Sequence, residues 1–85
     1  SGGLELSGAG LAFSAAAPAR REGWIVLRCV NHRATSVDGA WRVGRGIAEA
    51  VRARLDEIPL DALTVTENVV RFTAASLEIV TILVR

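Results

Sequence analysis

Leu77-Glu78-Ile79-Val80-Thr81-Ile82-Leu83-Val84 is the stretch that decides the fold. It is rich in β-branched and aliphatic residues and holds no Gly or Pro. With period two, Leu77, Ile79, Thr81 and Leu83 share one face. Val80, Ile82 and Val84 share the other, with Glu78 the one polar residue there. A strand that is apolar on both faces is ordinarily buried on both, which predicts a central place in a sheet. Val69-Val70-Arg71-Phe72-Thr73-Ala74 comes just before and alternates more cleanly. The short Ala75-Ser76 link predicts that the two strands form a terminal hairpin.

Outward from there, strand signals alternate with turn signals. Leu4-Glu5-Leu6 alternates and reads as a short strand before Gly8-Ala9-Gly10. Leu11 to Ala17 reads as a strand with Leu11, Phe13 and Ala15 on one face, closed by Pro18. Residues 18–23 form a polar turn. Trp24 to Val30 is a second strong strand, with Ile25, Leu27 and Cys29 on one face and Trp24, Val26, Arg28 and Val30 on the other. Asn31 opens a loop to Ser36, where its side chain can bond the nearby backbone. Val37 to Val43 returns as a strand, with Val37, Trp41 and Val43 on one side. Gly39 inside it points to a bulge or a close backbone approach; a turn at Asp38-Gly39 is the rival reading.

Gly44-Arg45-Gly46 breaks the chain again. Ile47 to Leu55 fits both a short helix, through Ile47, Val51 and Leu55, and an alternating strand. Its all-β neighbourhood favours strand. Residues 56–62 read as a connecting loop with apolar anchors, Leu63 to Thr66 as a short strand, and Glu67-Asn68 as a turn. The whole predicts an all-β, immunoglobulin-like antiparallel β-sandwich of about seven short strands in a single domain over residues 1–85.

Composition bounds the functions. The chain has 85 residues, of which 51% are hydrophobic, and a mean hydropathy of +0.35. That is much apolar material for so small a domain. Small domains usually need a disulfide, a metal or a partner surface. One cysteine excludes an internal disulfide. A partner surface is then the expected device, in a domain cut from a longer protein; the absent initial Met and the Ser1-Gly2-Gly3 start fit a fragment. The net charge of +1 gives no electrostatic footprint for nucleic acid or an anionic membrane. No apolar run reaches the length of a membrane span, and no leader is legible, so a cytoplasmic location is expected.

Several pieces of the chain together resemble a known family. They are Gly23-Trp24-Ile25-Val26-Leu27-Arg28 running to Asn31, Val37-Asp38-Gly39, Leu55-Asp56-Glu57 with Pro59-Leu60, the Val-Arg-Phe strand, and Glu78-Ile79-Val80-Thr81. In order and spacing, from about Leu11 to the end, they resemble the final β-sandwich domain of family-38 glycoside hydrolases, the α-mannosidases. The resemblance implies an accessory domain that packs on upstream domains of the same polypeptide. It implies a parent that hydrolyses α-mannosidic bonds with zinc, whose ligands and catalytic carboxylates lie upstream of this domain.

No catalytic, cofactor or metal residue is expected within the chain itself. Glycoside hydrolysis needs two carboxylates about 5 Å apart, or roughly 6.5–9.5 Å for inversion. Asp56 and Glu57 are sequence neighbours that point apart in an extended segment. Glu78 reads as one side of a salt bridge, with Arg28 or Arg71 as expected partners. Cys29 and His32 stand as Cys-x-x-His without the second pair that a zinc site requires. Trp24 and Trp41 would make a sugar-stacking platform if exposed on one sheet face, with His32 and Arg28 as polar contacts. This gives the alternative of a carbohydrate-binding module for an oligosaccharide. Indoles are highly buried on average, which favours packing instead. A third alternative is a self-associating domain that pairs through the Trp24, Val26 and Val30 face.

Overall fold

The computed structural model describes residues 4–20, 22–44 and 46–85. Ser1-Gly2-Gly3, Arg21 of the expected polar turn and Arg45 of the Gly-Arg-Gly break lie outside them. Among the described residues there are nine strands and no helix. They are β1 (Leu4–Ser7), β2 (Leu11–Pro18), β3 (Ile25–Asn31), β4 (Val37–Val43), β5 (Ala50–Ala53), β6 (Pro59–Leu63), β7 (Val65–Thr66), β8 (Val69–Ala74) and β9 (Ile79–Val84). All pairings are antiparallel, in a four-stranded sheet ordered β1-β4-β8-β7 and a five-stranded sheet ordered β2-β3-β9-β5-β6. The β-sandwich is therefore as expected, with more strands than the expected seven.

The stretch that decides the fold does lie centrally. β9 is flanked by β3 and β5, and Val80, Thr81, Ile82, Leu83 and Val84 are all buried. Its start is later than expected. Leu77 has a left-handed φ of 57° and, with Glu78, belongs to the preceding turn. The expected terminal hairpin does not form. β8 pairs with β4 and β7 in one sheet, while β9 lies in the other. The physical reason is the pattern of each strand. β8 alternates buried and exposed, which suits a sheet with one face in water. β9 needs apolar neighbours on both faces, so the chain crosses from one sheet to the other between Ala74 and Ile79.

Further along the chain some expectations hold and others change. Ile47 to Leu55 is a strand in its middle, at Ala50–Ala53, so the strand reading holds over the helix. Residues 59–62, read as loop, form edge strand β6 together with Leu63. Between the pairs Val51↔Ala62 and Ala53↔Pro59, β6 advances one residue more than β5, and this bulge hides the alternation. Leu63 ends β6 while Val65 starts β7 in the other sheet, so the expected short strand over Leu63–Thr66 is split between sheets. In β2 the register skips Ser14, placing Ala15 opposite Arg28 rather than on the Phe13 face. The Glu67-Asn68 turn is confirmed. Both residues have left-handed φ, 51° and 64°, as a two-residue type I′ hairpin requires.

The main core lies between the sheets. Leu27, Cys29, Val80, Ile82 and Val84 from one sheet meet Trp41, Val70, Phe72 and Ala74 from the other. Gly39 is the close approach read from the sequence, since β4 runs through it without a turn. A Cβ there would stand 2.4 Å from Leu11 Cδ1 and 2.7 Å from Phe72 Cζ.

A second, smaller cluster holds Trp24, Val26, Ala53 and Leu83, with Ala19 and Val51 packed against it. Val26, Leu83 and Val51 are cross-strand neighbours over β3, β9 and β5, on the face turned away from the main core. The expectation that this face needs a foreign cover is corrected at its centre. Trp24 is 7% exposed and Val26 3% exposed. The Arg85 guanidinium sits over the Trp24 ring, 5.2 Å from its centroid. Val30, the third residue named for self-pairing, is half-buried.

Candidate functional site

The outer faces of the two sheets differ. On the four-stranded sheet, Glu5 stands opposite Arg42 in the register, and the Thr73 hydroxyl donates to Asp38 Oδ1 at 3.0 Å. Arg71 is exposed beside them. This face is built for water. The five-stranded sheet presents Val26, Leu83, Val51 and Ala53, and then a group of exposed apolar side chains. Leu55 is 57% exposed, Leu60 57% and Ile79 45%.

These three come from different elements. Leu55 leaves β5, Leu60 sits in the bulged part of β6, and Ile79 opens β9. They surround a shallow concavity of about 450 Å³ whose floor is Ala53 and Thr81, both buried. The rim is charged. Arg52 Nη2 donates to Glu78 Oε1 at 2.8 Å, and Arg52 Nη1 donates to the Thr73 carbonyl of the facing sheet at 2.7 Å. Arg54 faces Asp56 at 3.5 Å. Arg28 Nη2 donates to the Leu55 carbonyl at 2.7 Å, and its Nε donates to Thr81 Oγ1 at 3.4 Å.

The residues singled out from sequence are scattered around this frame. Arg28 borders the concavity through its bonds to Leu55 and Thr81. His32 is exposed in the β3–β4 connection, where its backbone N–H donates to the Gly10 carbonyl at 3.0 Å. Trp24 belongs to the outer cluster and Trp41 to the main core, so the two indoles share no face. Glu78 takes Arg52 as its partner, not Arg28 or Arg71. Asp56 Oδ1 accepts from the Ile58 N–H at 3.4 Å, while Glu57 Oε1 accepts from the Arg20 N–H at 2.7 Å. The two acids are thus turned to different neighbours. Sequence reasoning did not find Leu55, Leu60 and Ile79 as a group. Its one available signal was the apolar residues left within the charged segment 54–61.

Cys29 is fully buried on the core side of β3, while His32 stands in the loop. Burial pushes the thiol up to about 11 from its ordinary 9.0; Arg52 opposes this shift and Glu78 adds to it. The folded state therefore holds a proton that the unfolded state gives up first. Stability from this group is complete below about pH 9 and falls as pH rises towards 11, by about 2–3 kcal/mol in all. Chemical denaturation of the chain and of Cys29→Ala at pH 8 and pH 11 should show a steeper loss in the parent chain. Equal losses would mean that the thiol is not desolvated.

No grouping of three or more His, Cys, Asp or Glu side chains suited to a metal ion occurs among the described residues. No helix among them is long and apolar enough to cross a membrane. No family model, no curated protein and no solved structure matches the chain.

The burial of both indoles makes a second expectation testable. Mannose oligosaccharides at millimolar concentration should leave tryptophan emission unchanged. A saturable shift that is lost in Trp24→Phe with the fold retained would favour the carbohydrate-binding alternative.

Proposed function

We propose that this chain is a non-catalytic accessory β-sandwich of a longer, cytoplasmic, α-mannosidase-like glycoside hydrolase. It packs through the exposed Leu55, Leu60 and Ile79 corner of its five-stranded sheet on an upstream domain of the same polypeptide and supports the catalytic region. The parent reaction is hydrolysis of α-mannosidic bonds. Zinc belongs to the parent's catalytic region, and no residue of this chain is assigned to it.

The observation that carries the docking role is the asymmetry of the two outer faces. One is polar and solvated. The other is apolar and runs into the exposed Leu55, Leu60 and Ile79. Contiguous exposed apolar surface on a small domain ordinarily marks a contact surface. The identity of the parent rests on the resemblance of the Gly23–Asn31, Val37–Gly39, Leu55–Leu60 and Glu78–Thr81 segments.

The test is expression of the full open reading frame that encodes the chain, with and without these residues. The full product should hydrolyse an aryl α-mannoside. The product lacking this domain should lose thermal stability and activity together, and the isolated 85 residues should show no turnover. A reading frame with no catalytic region, or turnover by the isolated chain, would overturn the proposal.

A further inference from the structure

The geometry points to the concavity between Leu55, Leu60 and Ile79 as an anchor socket for a docking segment whose large apolar side chain stands next to a carboxylate. The occupant is a segment of the neighbouring domain of the parent polypeptide, so the name of the partner rests on the accessory-domain reading. The chemistry of the socket does not.

The recess is apolar where it is deepest. The floor is Ala53 and Thr81, and the Thr81 hydroxyl already accepts from Arg28 Nε. The Thr81 oxygen is thus engaged by Arg28, and Ala53 adds only a methyl group to the floor. Three large apolar side chains, each about half exposed, stand around it. Interfaces draw most of their binding energy from a few apolar or aromatic anchors seated in such recesses.

The lining holds two guanidinium groups and two carboxylates, and a third guanidinium, that of Arg28, borders it through Leu55 and Thr81. Arg52 is matched by Glu78 and Arg54 by Asp56. Arg28 is held by a carbonyl and a hydroxyl, and no carboxylate lies within salt-bridge distance of it among the described residues. One positive charge is thus left without a carboxylate partner beside the concavity. A carboxylate beside the incoming anchor would complement it, while a cationic neighbour would be repelled.

The test uses the uniformly ¹⁵N-labelled chain and two blocked tetrapeptides, acetyl-Gly-Asp-Phe-Gly-amide and acetyl-Gly-Lys-Phe-Gly-amide. The Asp-Phe peptide should shift the amide signals of Ala53, Ile79 and Thr81 saturably at millimolar concentration. The Lys-Phe peptide should bind at least fivefold more weakly. Arg28→Gln should remove that preference. Leu60→Ser, a change at an exposed position, should abolish the shifts while the spectrum stays dispersed. Absence of saturable shifts at those amides, or equal affinity for the two peptides, would overturn the socket. The accessory-domain reading fails separately. A reading frame without a catalytic region would sink it, even where the Asp-Phe peptide binds as expected.

Discussion

Trp41→Ala should lower the stability of the domain by about 3–5 kcal/mol. Trp41 is fully buried and stands between Leu6 of β1 and Val70 of β8 in the register of the four-stranded sheet. From the opposite sheet, Phe13 meets its ring edge-on, with centroids 5.8 Å apart and planes at 73°. The indole therefore joins the two layers, and its loss leaves a void that β-strands tied by ladders cannot close. A domain of this size has roughly 4–13 kcal/mol of stability in total. Each kcal/mol shifts the melting temperature by about 4–8 °C, so the variant should melt far lower or fail to fold. Trp41→Phe is the informative companion. The buried Nε1 has no hydrogen-bond partner among the described residues, and an unmatched buried donor costs about 1–3 kcal/mol. Phenylalanine removes that donor while keeping most of the ring contact. Its melting temperature should stay much closer to the parent's. Equal loss in both variants would mean that the indole N–H is in fact satisfied.

The parts of this fold that could be read from sequence are those whose side-chain pattern is strictly local. β9 was legible because five successive residues, Val80 to Val84, are of a kind that tolerates burial on either face. β4 was legible because Val37, Trp41 and Val43 keep one parity through seven residues. Gly39 signalled a bulge or a close approach, which are the usual reasons for a missing Cβ in a strand interior. Bulges defeated the same logic. The skipped Ser14 turned Ala15 to the other face, and the extra residue in β6 made a strand resemble a loop. Pairing was illegible too. The Ala75-Ser76 link looked like a hairpin turn because a sequence does not say whether a connection returns to its own sheet. The candidate surface was illegible for a related reason. Leu55, Leu60 and Ile79 lie on three elements, and only the β6-β5-β9 register brings them together. Even the self-sufficiency of the Trp24–Val26 face depended on contacts from Val51 and Arg85, distant in sequence, as well as from nearby Ala19.

Asn31 carries the other large effect, and it should appear as a change in the pH dependence of folding. From sequence it read as a loop opener, and that local part holds. Its Oδ1 accepts from the Arg33 N–H at 2.9 Å. Its larger role is long-range. The side chain is fully buried, and Nδ2 lies 3.0 Å from the Thr35 carbonyl, 3.3 Å from that of Ala74 and 2.9 Å from that of Ala75. Its backbone N–H donates to the Glu78 carbonyl at 2.9 Å. Thr35 lies in the β3–β4 connection, and Ala75 begins the β8–β9 connection. Both are places where the chain leaves one sheet for the other. One amide thus fastens two crossovers, and it is the donor end that matters. Asn31→Leu should cost about 2–4 kcal/mol, since the buried Ala74 carbonyl and the part-buried carbonyls of Thr35 and Ala75 would lose this donor. Asn31→Asp keeps the shape and discriminates better. An ionised carboxylate would face three carbonyl oxygens with no proton to offer. Its folded-state pKa should rise above the ordinary value of about 3.9, because only the protonated acid can donate there. The sign follows from linkage. Relative to the parent chain, the variant should be least impaired below about pH 4, and its deficit should grow as pH rises through the raised value. Denaturation of both chains at pH 3.5, 5 and 7 reads this directly. A deficit that does not change with pH would show that the three carbonyls are reached by water and that Asn31 fastens nothing.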